Sequence, residues 1–295
     1  MEADNPFNSV YNEEQDKKLV AKAINGNRKA LNQLLEKHNI FIYNIVIKMV
    51  GHTTEAEDIT QDILIKITTN LAKYDPQKGR FTSWLYKLTF NYILDYKKSP
   101  VENRISSFTQ FFDTIESLKD EPIAVENGYL ENEHPYTQEV KTKCTNGMLM
   151  CLSREQRLLY VVGELFQIEH TLGAEIFGTS KENFRKKLSR VRKDLYEWMN
   201  DRCGLVNKAN PCRCNKKTKG FIERGIVDPE NLLWTKDFKS RIHDYSKTKL
   251  EDLQKSSDKI YTQLYQEHPM KIPKTSEEVL NKVLGDKNLK ELLDI

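Results

Sequence analysis

Between Gly51 and Ile67 the chain reads GHTTEAEDITQDILIKI, and two stripes share this stretch. Ala56, Ile59, Ile63, Ile67 and Leu71 recur at three- and four-residue steps, which predicts a helix with one buried side. Asp58, Gln61, Asp62 and Ile65 follow helical spacing too, so an acidic stripe ending on an isoleucine faces outward. Carboxylates and an amide around one apolar side chain are equipped for recognition: charge-assisted hydrogen bonds rim a dry contact. A second group is basic. Lys181 to Lys193 holds seven bases and one acid, Glu182. On a helix such side chains hold phosphates. Lys181, Asn183, Arg185 and Lys186 lie early enough to reach base edges, with Arg190 one turn beyond Lys186. The bases are expected to lack Glu partners four residues earlier, which distinguishes them from a solvated surface helix.

Catalytic chemistry finds little support. There is no Gly-rich phosphate loop, no His-Glu-x-x-His and no nucleophile elbow. The six histidines are scattered at no ligand spacing. The chain reads as a non-enzyme. Five cysteines remain, three of them in CGLVNKANPCRCNKKTKG. Cys203, Cys212 and Cys214 leave two readings open. Reduced thiols in a basic turn, with no metal, is the expected one; three thiolates of a structural zinc site is the other, with a fourth ligand from Cys151, Cys144, a histidine or solvent. Flanking bases would lower thiol pKa and suit a redox role. The same turn is expected to cap the long helix before it and to set Arg213, Lys216, Lys217 and Lys219 beside DNA.

The elements that must position these groups are almost all helical. Two helices over 15–50 break at Asn25-Gly26-Asn27, and the second stops at Gly51. The striped helix follows, then the turn YDPQKGR, then a helix from Phe81 to Lys98 with Phe81, Trp84, Leu85, Leu88 and Tyr92 on its apolar side. From Val101 to Glu139 nine acids face two bases, with Pro122, Gly128, Pro135 and no sustained periodicity; this reads as an acidic linker. Beyond it, Ser153-Arg-Glu-Gln has the form of a capping box. A short helix ends at Gly178, and Ser180 starts a long basic one with Phe184, Leu188, Val191 and Leu195 inward. That order fits a helix-turn-helix, whose second helix enters the major groove.

The expected fold is all-α, with a flexible lead (1–14), a helical domain (15–98), the acidic linker (99–142), a helix-turn-helix domain (143–202) and a mostly helical extension (203–295). At 295 residues, 30% charged, net +3 and mean hydropathy −0.66, the chain has modest cores and large wet surfaces. No apolar run is long enough for a membrane span, and the acidic N-terminus lacks a signal-peptide core, so a cytoplasmic protein is expected.

AEDITQDILIKI, YDPQKGRFTSWLYKLTFNYILDYKK, LSREQRLLYVVGEL and GTSKENFRKKLSRVRKDL together resemble regions 2 and 4 of bacterial RNA polymerase sigma factors, of the compact extracytoplasmic-function type. The Ala-Glu-Asp-x-x-Gln-Asp and Phe-x-x-Trp-Leu-x-x-x-x-x-Asn-x-x-x-Asp spacings carry the resemblance, which covers about half of the chain. It implies that Asp58, Gln61, Asp62 and Ile65 dock on the clamp helices of the polymerase beta-prime subunit, with the beta subunit as a further contact. It implies that Tyr74, Arg80, Lys87, Phe90, Asn91 and Lys98 capture unstacked bases and backbone of the -10 element, and that Lys181, Asn183, Arg185, Lys186 and Arg190 read the -35 element. Promoter melting, an anti-sigma partner, a monomeric free state and an acidic linker that threads toward the RNA channel follow from the same resemblance. One departure stands out: Gly173 sits where the family's helix carries a bulky apolar residue, which weakens that helix. A polymerase-independent helix-turn-helix regulator and a protein-interaction scaffold are the alternatives.

Overall fold

In the computed structural model the described residues are 5–8, 11–97, 102–103, 105, 107–123, 134–235 and 270. They are all-α. Among them the one β feature is an isolated parallel bridge between Cys203 and Cys212. No helix among the described residues is long and apolar enough to cross a membrane. Lys98, and most of the extension beyond Thr235, lie outside the described residues. The chain divides into two compact units, residues 1–103 with 153–189 and 270–295, and residues 104–152 with 190–269.

In the first unit, α1 (Glu13–Ile24), α3 (Thr53–Asn70) and α4 (Phe81–Asp95) surround α2 (Arg28–Val50). From Phe41 to Val50 every residue of α2 is buried, the polar Asn44 and Lys48 included, so this part of the helix is enclosed on all sides. Its ends follow from sequence: Asn27 accepts the backbone N–H of Ala30, and Gly51 closes the helix at φ 72°, a left-handed turn that glycine adopts without strain. Helix α4 lacks a cap of its own at Arg80. Glu13 supplies one from α1, accepting the backbone N–H groups of Phe81 and Thr82 at 3.1 and 3.0 Å. A carboxylate there also complements the positive end of the helix dipole.

One polar cluster sits inside this core. Asp16, fully buried, accepts from Tyr11 Oη at 2.8 Å and Lys37 Nζ at 2.7 Å and meets His38 Nε2 at 3.3 Å, while His38 Nδ1 lies 3.2 Å from Tyr86 Oη. Burial would raise the Asp16 pKa, but the hydrogen bonds and charge of His38, Lys37 and Tyr11 outweigh it and hold the carboxyl below its ordinary range. A depressed carboxylate contributes stability that is complete above the unfolded value, about 3.9, and is lost as pH falls through the folded one. Asp16→Asn should therefore cost about 1–3 kcal/mol in urea unfolding at pH 7, and wild type and variant should converge as the pH drops below about 4.

The same unit contains α7 (Arg154–Tyr160), a π turn (Val161–Leu165), α8 (His170–Ile176) and the start of α9 (Lys181–Arg202). Ser153 and Gln156 form the anticipated capping box. Gly173 has a packing role that helix propensity does not express. A Cβ there would lie 2.5–3.0 Å from three ring atoms of Phe184, so the glycine makes room for a fully buried ring. Phe7, in the segment expected to be a flexible lead, is fully buried against Phe41, Tyr86 and Phe166.

In the second unit, helices stand within the stretch read as a linker. Helix α5 (Phe108–Glu116) starts at Ser107, whose hydroxyl accepts from Gln110 N–H, and buries Phe111, Phe112 and Ile115. Helix α6 (Pro135–Met150) packs against α10 (Cys214–Glu223). The fully buried Glu139 carboxylate accepts the backbone N–H groups of Leu233, Trp234 and Thr235 at 2.9, 2.7 and 3.1 Å, fastening the segment after α10. The turn after α9 caps it as expected: the Asn207 and Asn210 amides donate to the Asn200 carbonyl.

Candidate functional site

Helix α3 brings its stripe together on one face. Asp58 and Asp62 are exposed, and Gln61 and Ile65 are half-buried. Asp62 is positioned rather than free: Tyr92 Oη on α4 donates to it at 2.8 Å, and Lys66 Nζ sits 5.1 Å from the centre of the Tyr92 ring. Burial, then that hydrogen bond and the carboxylate charge, push the Tyr92 phenol above its ordinary pKa. The hydroxyl therefore stays protonated and able to donate at neutral pH. Tyr92, assigned from sequence to the apolar side, thus buttresses the acidic face. Its place one turn before Tyr96 gave no sign of this.

The second group divides. Lys87 and Asn91 are exposed on α4. Arg80 is half-buried, its Nε 3.6 Å from Glu13 Oε1, and so is partly engaged in the cap of α4. Tyr74 and Phe90 are not on this surface. Tyr74 is buried, its hydroxyl donating to the Gly79 carbonyl at 3.1 Å and its ring packed on Phe81 and Trp84. Phe90 is 3% exposed, between Tyr86 and Phe177. The sequence expectation for Phe90 fails because α4 is covered on two sides, by the bundle and by α8. Trp84, expected in the core, is instead half-buried, stacked on Phe81 at 5.7 Å.

On α9 the basic residues fare as expected for exposure. Lys181, Asn183, Arg185, Lys186 and Arg190 are all exposed, opposite Phe184, Leu188 and Val191, which are buried. Ser180 starts the helix by accepting from Asn183 N–H, and the Asn183 amide donates to Thr179 Oγ1 at 2.7 Å. The expected lack of Glu partners is corrected: Lys186 Nζ pairs with Glu182 at 2.6 Å, one turn earlier. That pair is exposed and worth little, so phosphate contact can displace it.

The cysteine turn departs most from expectation. Lys217 is buried and donates to the carbonyls of Glu116 and Leu118, Lys219 pairs with Glu121 at 2.6 Å, and Arg213 donates to the carbonyls of Cys212 and Lys208. Three of the four bases expected to face DNA are spent holding the second unit together; Lys216 alone of them is exposed. Among the described residues no group of three or more His, Cys, Asp or Glu, Cys203, Cys212 and Cys214 included, is disposed to hold a metal ion. Burial pushes Cys212 up to about 11 and Cys214 up to about 12, with neighbouring thiols adding to it and the bases opposing it too weakly. The redox reading is corrected accordingly, because a protonated thiol is a poor nucleophile. At pH 8 these two thiols should react with iodoacetamide on the order of a hundredfold slower than free cysteine and recover normal rates in urea, which peptide mapping of the alkylated sites would measure.

Residues 34–100, α2 through α4, match the family model described as Sigma-70 region 2. The chain is 25% identical over 191 residues to the RNA polymerase sigma factor CnrH of Cupriavidus metallidurans, covering 62% of this chain and 93% of that protein. It is 26% identical over 116 residues to the RNA polymerase sigma-H factor of Pseudomonas aeruginosa (38% of this chain, 60% of that one). It is 30% identical over 86 residues to the ECF RNA polymerase sigma factor SigW of Bacillus subtilis (28% and 46%). The chain thus spans most of the first relative and less than two thirds of the other two. The solved structure of CnrH in complex with the cytosolic domain of CnrY aligns with TM-score 0.45 and 18% identity, over 63% of this chain and 98% of that one.

Proposed function

We propose, from the premise that this chain belongs to the ECF-type RNA polymerase sigma factors, that it docks on core polymerase through α3 and directs it to promoters. The observation that carries this reading is the face of Asp58, Gln61, Asp62 and Ile65, which lies inside the matched region 2. Carboxylates around a half-buried isoleucine suit a basic partner with an apolar centre, which is what clamp helices would offer.

Two further contacts complete the reading. Lys181, Asn183, Arg185, Lys186 and Arg190 of α9 enter the major groove at the -35 element, where the lysines and arginines hold phosphates and base edges. On α4, Asn91 pairs with an exposed base of the -10 element while Lys87 and Arg80 hold backbone, and the strand is captured as the duplex opens. Duplex binding alone would then be weak, since neither contact set is large and one needs melted DNA.

Electrophoretic mobility on promoter fragments, with and without core enzyme, tests this. Tight and sequence-selective shifts are expected only with core present. Equal selective binding by the free chain would instead support a polymerase-independent regulator. Within the same assay, Asn91→Ala should spare duplex retention and reduce permanganate reactivity of the -10 thymines. Normal opening by that variant would remove Asn91 from the strand contact.

A further inference from the structure

Arg80 occupies the N-cap position of α4, where Ser, Thr, Asp or Asn would ordinarily accept the first free N–H groups of the helix. An arginine side chain has no acceptor to offer. The helix is closed instead by Glu13, the first residue of α1, whose carboxylate accepts the N–H groups of Phe81 and Thr82 and also the Thr82 hydroxyl. The same carboxylate lies 3.6 Å from Arg80 Nε, and Arg80 pairs with no other acid among the described residues.

Both flanks of Arg80 are fixed. On one side Asn12 starts α1 by accepting the Glu14 N–H at 3.1 Å, which sets the place of Glu13, whose side chain is only 12% exposed. On the other side Tyr74 Oη donates to the Gly79 carbonyl at 3.1 Å, and Asp75 accepts the Gln77 N–H at 2.9 Å within the same turn. The Arg80 side chain itself is 36% exposed. A local Asp or Asn at position 80 would close the helix with no help from α1. Arg80 and Glu13 together close it and still leave a cation at the rim of the strand surface, a local rule broken and compensated from a distance. A guanidinium whose Nε faces Glu13 keeps further donors for a phosphate. With the helix N-terminus already holding a carboxylate, a DNA phosphate is left to Arg80 and not to the backbone N–H groups.

We propose that Glu13 is a positioning residue for capture of the -10 strand: it caps α4 so that the cap position can carry Arg80, and it orients that guanidinium toward a strand phosphate. The inference rests on the proposed function, in which Arg80 holds backbone. It extends the strand-binding machinery to α1, outside the matched residues 34–100. A carboxylate serving as a cap alone would affect stability and leave the electrostatics of DNA binding untouched.

The test uses holoenzyme assembled from core polymerase and the full chain. The probe is a fluorescein-labelled DNA fork with a single-stranded non-template -10 element taken from a mapped start site, titrated at several salt concentrations. Glu13→Ala and Arg80→Ala should each weaken fork binding about tenfold. Each should also reduce the slope of log K against log salt by about 0.7–0.9, the share of one phosphate contact. The double variant should lose no more than either single variant, because Glu13 acts on DNA through Arg80. Glu13→Gln keeps an acceptor for the N–H groups but not the charge, so it should fold as wild type and still bind the fork about threefold more weakly. Wild-type affinity and slope in Glu13→Ala, tighter binding through a bared helix N-terminus, or additive losses in the double variant would each overturn the proposal. So would an unaltered Arg80→Ala, which removes Arg80 from the strand. Wild-type holoenzyme that cannot bind the fork would overturn the function itself. Circular dichroism confirms folding of each variant; if Glu13→Ala unfolds, Glu13→Gln carries the test, and its binding the fork like wild type would overturn the proposal.

Discussion

Gly173→Ile, which restores the bulky residue type the family carries at this position, is expected to destabilise the helix-turn-helix rather than improve it. The side chain would enter space already filled by Phe184, whose ring is fully buried and hemmed by Phe177 at 5.7 Å and His170 at 5.9 Å. Overpacking of this kind costs about 1–3 kcal/mol, and a rigid, enclosed ring puts the cost at the upper end. Phe184→Ala alone should cost about 3–5 kcal/mol by leaving a cavity. The double variant should cost clearly less than the sum, because the isoleucine occupies the volume the ring vacates. Urea unfolding of the four proteins measures the coupling. Strict additivity would mean that the two positions do not share space, and -35 binding should follow stability across the set.

Asp62→Lys should weaken association with core polymerase by about 1–3 kcal/mol, roughly ten- to a hundredfold in Kd. On the proposed reading the change removes a charge-assisted contact beside Ile65 on the α3 face and sets a cation against a basic partner. In the free chain the loss is small, since Asp62 is exposed and its one local bond, from Tyr92, can be replaced by water. Stability unchanged within about 1 kcal/mol together with reduced core affinity is therefore the expected pattern. Tyr92→Phe isolates the buttress: it should weaken docking less than the charge reversal does. Unchanged core affinity in a folded Asp62→Lys variant removes α3 from the interface.

The parts of this protein that were legible in its sequence are those written in local spacing. The α3 stripe, the Ser153 capping box, the stop at Gly51 and the inward run of Phe184, Leu188, Val191 and Leu195 each depend on neighbours within a few turns. What was not legible depends on distant chain. Phe90 lies at an outward position of a helix read alone and is buried because α8 covers it. Glu13 caps a helix nearly seventy residues away, and only the fold brings it there. Within the acidic segment, Ser107 and the Phe111, Phe112, Ile115 face signal a helix once charge is set aside. Glu139 had the look of linker charge and is a fully buried acceptor of three backbone N–H groups. In the cysteine turn the bases suggested reactive thiols, but desolvation, which composition cannot express, outweighs them.

Transcription from fragmented genomic DNA of the source organism, by core polymerase with and without the purified chain, tests the central claim most directly. Sequencing of transcript 5′ ends should reveal a discrete set of start sites that appear only with the chain and share two upstream motifs centred near -10 and -35. The Asp62→Lys variant should lose those starts in proportion to its weaker core binding. A transcript profile identical to that of core alone, at chain concentrations that saturate polymerase, would contradict the account.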